Sequence, residues 1–213
     1  MAGPTSTSRL LWISASGHEL STITQMAFWL RPGQNSGGHP ARNTTAVSNH
    51  LLQKEVRIGV DGFDQAIRYD VTFTIPAGEH HTRATFEALT GYMPPEFRSF
   101  HTLREDCSLA LLSDGPGEQP DPVVCSTASG SHAMGVWSAS ASRTTGNPAT
   151  YGRFWFAEAR VSKWNCVFRE QSPSGGPSLQ AGSYRYLIWL AVGTREQVRE
   201  TLSGVRAAHT RRK

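Results

Sequence analysis

Residues 113–137, SDGPGEQPDPVVCSTASGSHAMGVW, gather a carboxylate, an imidazole and a large aromatic in one loop-rich stretch. Glu118 lies in its glycine- and proline-rich part, His132 follows a small-residue turn, and Trp137 closes an apolar run. Loops carry function more often than the elements they join. A second carboxylate, Glu87, sits mid-strand on the polar side of RATFEALTGYM. Paired carboxylates suit glycoside chemistry: one protonates the leaving oxygen, and the other assists water or the anomeric carbon from about 5–10 Å away. Glu87 and Glu118 are therefore the acid/base candidates, with His132 as an auxiliary proton donor or orienter. Tyr92, Trp137 and Trp164 offer flat apolar faces for the C–H faces of sugar rings, although such residues also fill β-sandwich cores. Arg153 and Lys163 are candidates for holding an acidic sugar or an oxyanion.

Other chemistries lack their patterns. There is no H-E-x-x-H and no Cys/His zinc spacing, and the adjacent pair His80-His81 would point to opposite faces of a strand, so no metal site is expected. The G-x-S-x-G elbow, the phosphate-binding G-x-x-x-x-G-K and the dinucleotide G-x-G-x-x-G are absent, and no cofactor is expected. Three cysteines cannot close a disulfide framework. The net charge of +4 is carried by Arg206, Arg211, Arg212 and Lys213; the rest of the chain is balanced at 17 basic against 17 acidic residues. A basic tail without a basic, aromatic-studded face gives no nucleic-acid signature. No apolar run approaches the roughly 20 residues of a membrane span. Oligomeric state has no signature here.

These residues must be positioned by strands. Residues 66–75 (AIRYDVTFTI) have the clearest two-residue period, with Ile67, Tyr69, Val71, Phe73 and Ile75 on one face. Residues 9–15 and 19–31 read as a hairpin about Gly17, and Asp61-Gly62 is a turn dipeptide. Residues 83–93, 152–156 and 164–169 read as strands, and 171–180 as a proline/glycine loop. Residues 183–192 (SYRYLIWLAV) are nearly all apolar, the pattern of a strand covered on both sides. One helix is expected over 194–208, with Thr194 and Gln197 forming a capping box and Val198, Leu202 and Val205 on one face. About a dozen strands and one helix predict an all-β antiparallel β-sandwich with one C-terminal α-helix. The expected organisation is a disordered N-terminus (1–8), one sandwich domain (9–208) and a basic tail (209–213). Deleting 206–213 is expected to leave the fold intact.

The runs TQMAFWL, IRYDVTFTIPAGEHHTRATFEALTGYMPPEF, LLSDGPGEQPDPVV, SHAMGVW, YGRFWF and KWNCVFR resemble a family of largely uncharacterised, mostly secreted bacterial β-sandwich proteins. The architecture of that family is similar to the supersandwich of galactose-mutarotase-like carbohydrate enzymes. The resemblance spans residues 10–203 and implies a supersandwich-like fold, a carbohydrate ligand and secretion, but it carries no catalytic motif. The N-terminal residues, with one arginine and no sustained apolar run, lack a signal-peptide pattern, so a genuine start here implies the cytoplasm. Two functional expectations follow. The first is a carbohydrate-binding or carbohydrate-processing protein, glycoside-active through Glu87 and Glu118. The second is a non-catalytic binding or structural module, attached to or cut from a larger secreted protein.

Overall fold

The two-residue period of residues 66–75 builds one long central strand, and the other strands assemble on either side of it. A computed structural model describes residues 7–60, 62–172 and 179–211. The expected disorder of residues 1–6, the Asp61 half of the Asp61-Gly62 turn, the 173–178 part of the proline/glycine loop and tail residues 212–213 lie outside the described residues.

The elements in chain order are β1 (Arg9–Ser16), β2 (Glu19–Ala27), β3 (Asn35–Ser36), β4 (His39–Pro40), β5 (Val47–Val60), β6 (Phe63–Ile75), β7 (Arg83–Met93), β8 (Ser99–Leu103) and β9 (Leu109–Leu111). They continue with β10 (Gly117–Gln119), β11 (Val123–Ser126), β12 (Ala133–Ser138), β13 (Thr150–Phe156), β14 (Val161–Gln171), β15 (Gly182–Gly193) and α1 (Arg195–Thr210). The surplus over a dozen strands comes from ladders of two or three residues, too short to leave a period in the sequence.

A nine-stranded sheet runs β1-β2-β5-β6-β15-β12-β11-β8-β9, and a four-stranded sheet runs β10-β13-β14-β7. Neighbouring strands within both sheets pair antiparallel. The two sheets bury one aromatic-rich core. Phe73 and Tyr186 from the large sheet meet Phe86 and Phe168 from the small one, with Phe168 stacked on Tyr186 at 3.9 Å and Phe73 on Phe86 at 4.6 Å. Such offset aromatic pairs are worth about 0.5–1.5 kcal/mol each beyond the area they bury.

β15 is covered on both faces, as its apolar run predicts. Tyr184, Tyr186, Ile188 and Leu190 join the sandwich core, while Trp189 and Ala191 face α1. The helix has the expected capping box: the Gln197 N–H donates to Thr194 Oγ1 at 3.2 Å, and the Thr194 N–H donates to Gln197 Oε1 at 2.8 Å. Val198, Leu202 and Val205 are fully buried against the outer side of the large sheet. Close approach there needs Gly135, because a Cβ at that position would meet Val198 at 2.7 Å. The helix runs to Thr210, two residues past the expected domain end. His209 packs edge-on against Trp189 at 4.1 Å, so the start of the expected basic tail is part of the packed structure.

Candidate functional site

The outer face of the four-stranded sheet brings together three of the candidate residues. Tyr92 on β7 pairs with Lys163 on β14, which pairs in turn with Phe154 on β13, so the three form one cross-strand row. Lys163 Nζ lies over both flanking rings, 5.6 Å from the Tyr92 centroid and 5.3 Å from that of Phe154. It also sits 3.1 Å from each oxygen of Glu87, whose carboxylate accepts the Thr90 hydroxyl at 2.8 Å. The Lys163 side chain is only 12% exposed, because its stem is covered by the rings it crosses. Phe156, two residues on from Phe154, holds its ring parallel to within 3° at 6.0 Å. Tyr92 is 66% exposed and Phe156 43%, so apolar ring surface is open on this face beside a buried-stemmed ion pair.

A β-bulge makes the cluster possible. The register of β7 on β14 shifts between Cys166 and Val167: Leu89 pairs with Cys166 and Glu87 with Val167, which leaves Ala88 without a partner. Strict alternation would put Glu87 and Tyr92 on opposite faces. The extra residue reverses the parity, so Glu87, Thr90 and Tyr92 all point outward.

Glu118 lies on the same face but on the far edge strand, β10, opposite Gly152. Three strand spacings separate β10 from β7, roughly 14 Å at the backbone. Its carboxylate is held by Arg169, which donates from Nη1 at 2.5 Å and Nη2 at 2.8 Å and also bonds Thr150 Oγ1 at 2.8 Å. The Arg169 hydrogen bonds hold the Glu118 carboxyl below its ordinary value and raise the guanidinium in return. Glu87 and Glu118 thus share the outer face from opposite edge strands, and each carboxylate is bound to its own cation, Lys163 and Arg169 respectively.

The remaining candidates are elsewhere. His132 lies in the turn before β12, its Nδ1 3.0 Å from Ser131 Oγ, beside Met93, Phe97 and the start of α1. Trp137 is packed on Trp189 at 5.3 Å and on His209 at 5.7 Å, beneath the helix on the other side of the large sheet. Trp164 is 2% exposed in the sandwich core, its ring so close to Gly91 that a Cβ there would lie 2.3 Å from it. Trp164 has no face free for a sugar, whereas Trp137 is half-buried and lines a separate pocket with Tyr151 and Arg206, away from the small sheet's outer face. Arg153 is committed to structure as well. It donates to Ser113 O at 2.8 Å, Ser113 Oγ at 3.0 Å and Gln119 Oε1 at 2.8 Å, pinning the loop that leads into β10.

Two features had no signal in the sequence reading. Phe154 and Phe156 were hidden within a strand run whose outward face could not be told from its inward one. Beyond the free edge of β7 lies a groove of roughly 410 Å³, formed by Phe28, Trp29, Phe73 and Phe86 and reached by Glu87 and His50. Trp29 is 85% exposed at its rim. His50 has its pKa lowered, first by burial and then by His81, against the opposing effect of Glu79.

By fold, the chain is an antiparallel β-sandwich with one C-terminal helix. No family model matches it, and no curated protein matches it. Among solved structures it is similar to the α-galactosidase from Lactobacillus brevis, with a TM-score of 0.48 and 10% identity over 89% of this chain and 27% of that one. It is also similar to HI1317, with a TM-score of 0.40 and 8% identity over 87% of this chain and 64% of that one. The chain thus spans less than two-thirds of the length of either. Among the described residues, no helix is long and apolar enough to cross a membrane.

Proposed function

We propose that this protein binds carbohydrate, without catalysis by Glu87 and Glu118, on the outer face of its four-stranded sheet. The observation that carries the reading is the row Tyr92–Lys163–Phe154 with Glu87 and Phe156 beside it. Sugars present C–H faces and hydroxyls side by side, and this surface presents ring faces next to fixed charged donors and acceptors. Because Glu87 already neutralises Lys163, the pair suits the hydroxyls of a neutral sugar better than a carboxylated or sulfated one. Hydrolysis by two carboxylates is disfavoured, since Lys163 holds the Glu87 carboxylate and Arg169 that of Glu118.

The test is a glycan array on the purified chain, followed by titration calorimetry on the best neutral ligands with Tyr92→Ala and Phe156→Ala. The expected result is an affinity loss of about tenfold or more in each variant, as deletion of one stacking face worth 1–2 kcal/mol would give, with melting temperatures nearly unchanged. Glycan binding that both variants retain in full, or no binding to any glycan, would overturn the proposal.

A further inference from the structure

We propose that His50, Glu79 and His81 form a binding site for a divalent transition-metal ion, zinc by ligand chemistry, at the mouth of the groove beside β7. The three donors converge although they come from separate segments. His50 is on β5, while Glu79 and His81 belong to the turn that follows β6. Glu79 Oε2 lies 3.3 Å from His50 Nε2 and 2.9 Å from His81 Nε2, and the three donor atoms all lie within 4.8 Å of one another. Bonds of about 2.0–2.2 Å to nitrogen and oxygen place neighbouring donors of a tetrahedral ion about 3.3–3.5 Å apart. An ion therefore needs only small side-chain rotations to enter.

The scaffold holds this arrangement from the backbone. The β5–β6 pairing sets Leu51 opposite Thr74, which brings the start of the turn alongside His50. The turn is tied down beyond it, where the Leu179 N–H donates to the His81 carbonyl at 2.6 Å and the two residues form an isolated bridge. The donor set selects the class of ion. Two imidazoles and one carboxylate suit zinc and its neighbours rather than calcium or magnesium, which prefer all-oxygen shells.

Three protein ligands leave a fourth position open, the pattern of sites that bind an exchangeable ligand rather than purely structural ones. His50 also lines the groove of Phe28, Trp29, Phe73 and Phe86, so a small molecule with an oxygen donor and an apolar body would reach the ion from there. His80, adjacent in sequence, is not among the three donors. This inference does not rest on the glycan reading, and its test uses the ion alone.

The experiment is calorimetric titration of Zn²⁺ into the full chain, freed of any affinity tag and treated with chelator, together with the absorption spectrum of the Co²⁺ form. The expected result is one equivalent bound in the micromolar range or tighter. His50→Ala, His81→Ala and Glu79→Gln should each weaken it at least tenfold, since losing even an outer-shell partner costs about 10–100-fold. His80→Ala and Cys107→Ser should leave it unchanged. The Co²⁺ spectrum, read on the unaltered chain, should show tetrahedral bands without thiolate charge transfer, so the proposal stays testable if a ligand variant fails to fold. No stoichiometric binding, equal binding by the three ligand variants, or a thiolate band would overturn it.

Discussion

Tyr186 on β15 and Glu170 on β14 join the two sheets through the core, the tyrosine hydroxyl donating to Glu170 Oε1 at 2.7 Å. Glu170 is fully buried, and four further donors from the loop after β12 surround it. These are Ser142 Oγ at 2.9 Å, the Arg143 N–H at 2.9 Å, the Thr144 N–H at 2.8 Å and Thr144 Oγ1 at 2.7 Å. Burial pushes the Glu170 carboxyl up, but hydrogen bonds from Tyr186, Thr144 and the backbone outweigh it, and the group comes out below its ordinary value. Burial, and after it the same carboxylate, raise the Tyr186 phenol.

Glu170→Ala should therefore cost roughly 3–4 kcal/mol, because it strands several buried donors at about 1–3 kcal/mol each before any relaxation. Chemical denaturation measures this directly. The pH dependence has a definite sign. With the folded value lowered, stability from this group is complete above the ordinary carboxyl value of 4.5 and is lost as the pH falls through the folded value. Glu170→Gln should flatten the stability profile on that acid limb.

Phe73→Ala should cost roughly 3–5 kcal/mol, the range for a truncated buried aromatic. Its ring is 7% exposed and stacks on Phe86 across the two sheets. A loss below about 1 kcal/mol in urea unfolding would contradict this packing, since even modest core truncations exceed it.

At the helix, Thr194→Ala should cost about 1 kcal/mol through loss of the cap. Deleting residues 206–213 should lower the melting temperature as well, contrary to the expectation from sequence. Arg206 Nη2 donates to the carbonyls of Arg104 at 2.7 Å and Glu105 at 3.1 Å, and His209 packs on Trp189. Thermal melts of the two variants separate the contributions of the two helix ends.

The two carboxylates of the small sheet should behave differently. Glu118→Gln breaks a surface ion pair with Arg169, worth less than about 1 kcal/mol, and should leave glycan affinity untouched. Glu87→Gln should weaken glycan binding with little change in melting temperature, because its oxygens orient Lys163 within the aromatic row. Parallel titrations of both variants with the same glycan read out the contrast.

Much of the architecture was legible in the chain itself. The period of residues 66–75 specified β6 and its buried face, the continuous apolar run specified β15 as covered on both sides, and Thr194 with Gln197 specified where the helix begins. Each rests on interactions within one segment, so local spacing suffices. Which aromatics stay open was decided only in three dimensions. Trp164 and Tyr92 carry equal promise as sequence, yet stacking of the sheets buries one, and the bulge at Ala88 turns the other outward with Glu87. Likewise, 76 positions separate Glu87 from Lys163, and His50 meets Glu79 and His81 only because β5 and β6 pair in one register. A two-residue period defines two faces of a strand, but only its neighbours determine which face is covered and what stands beside it.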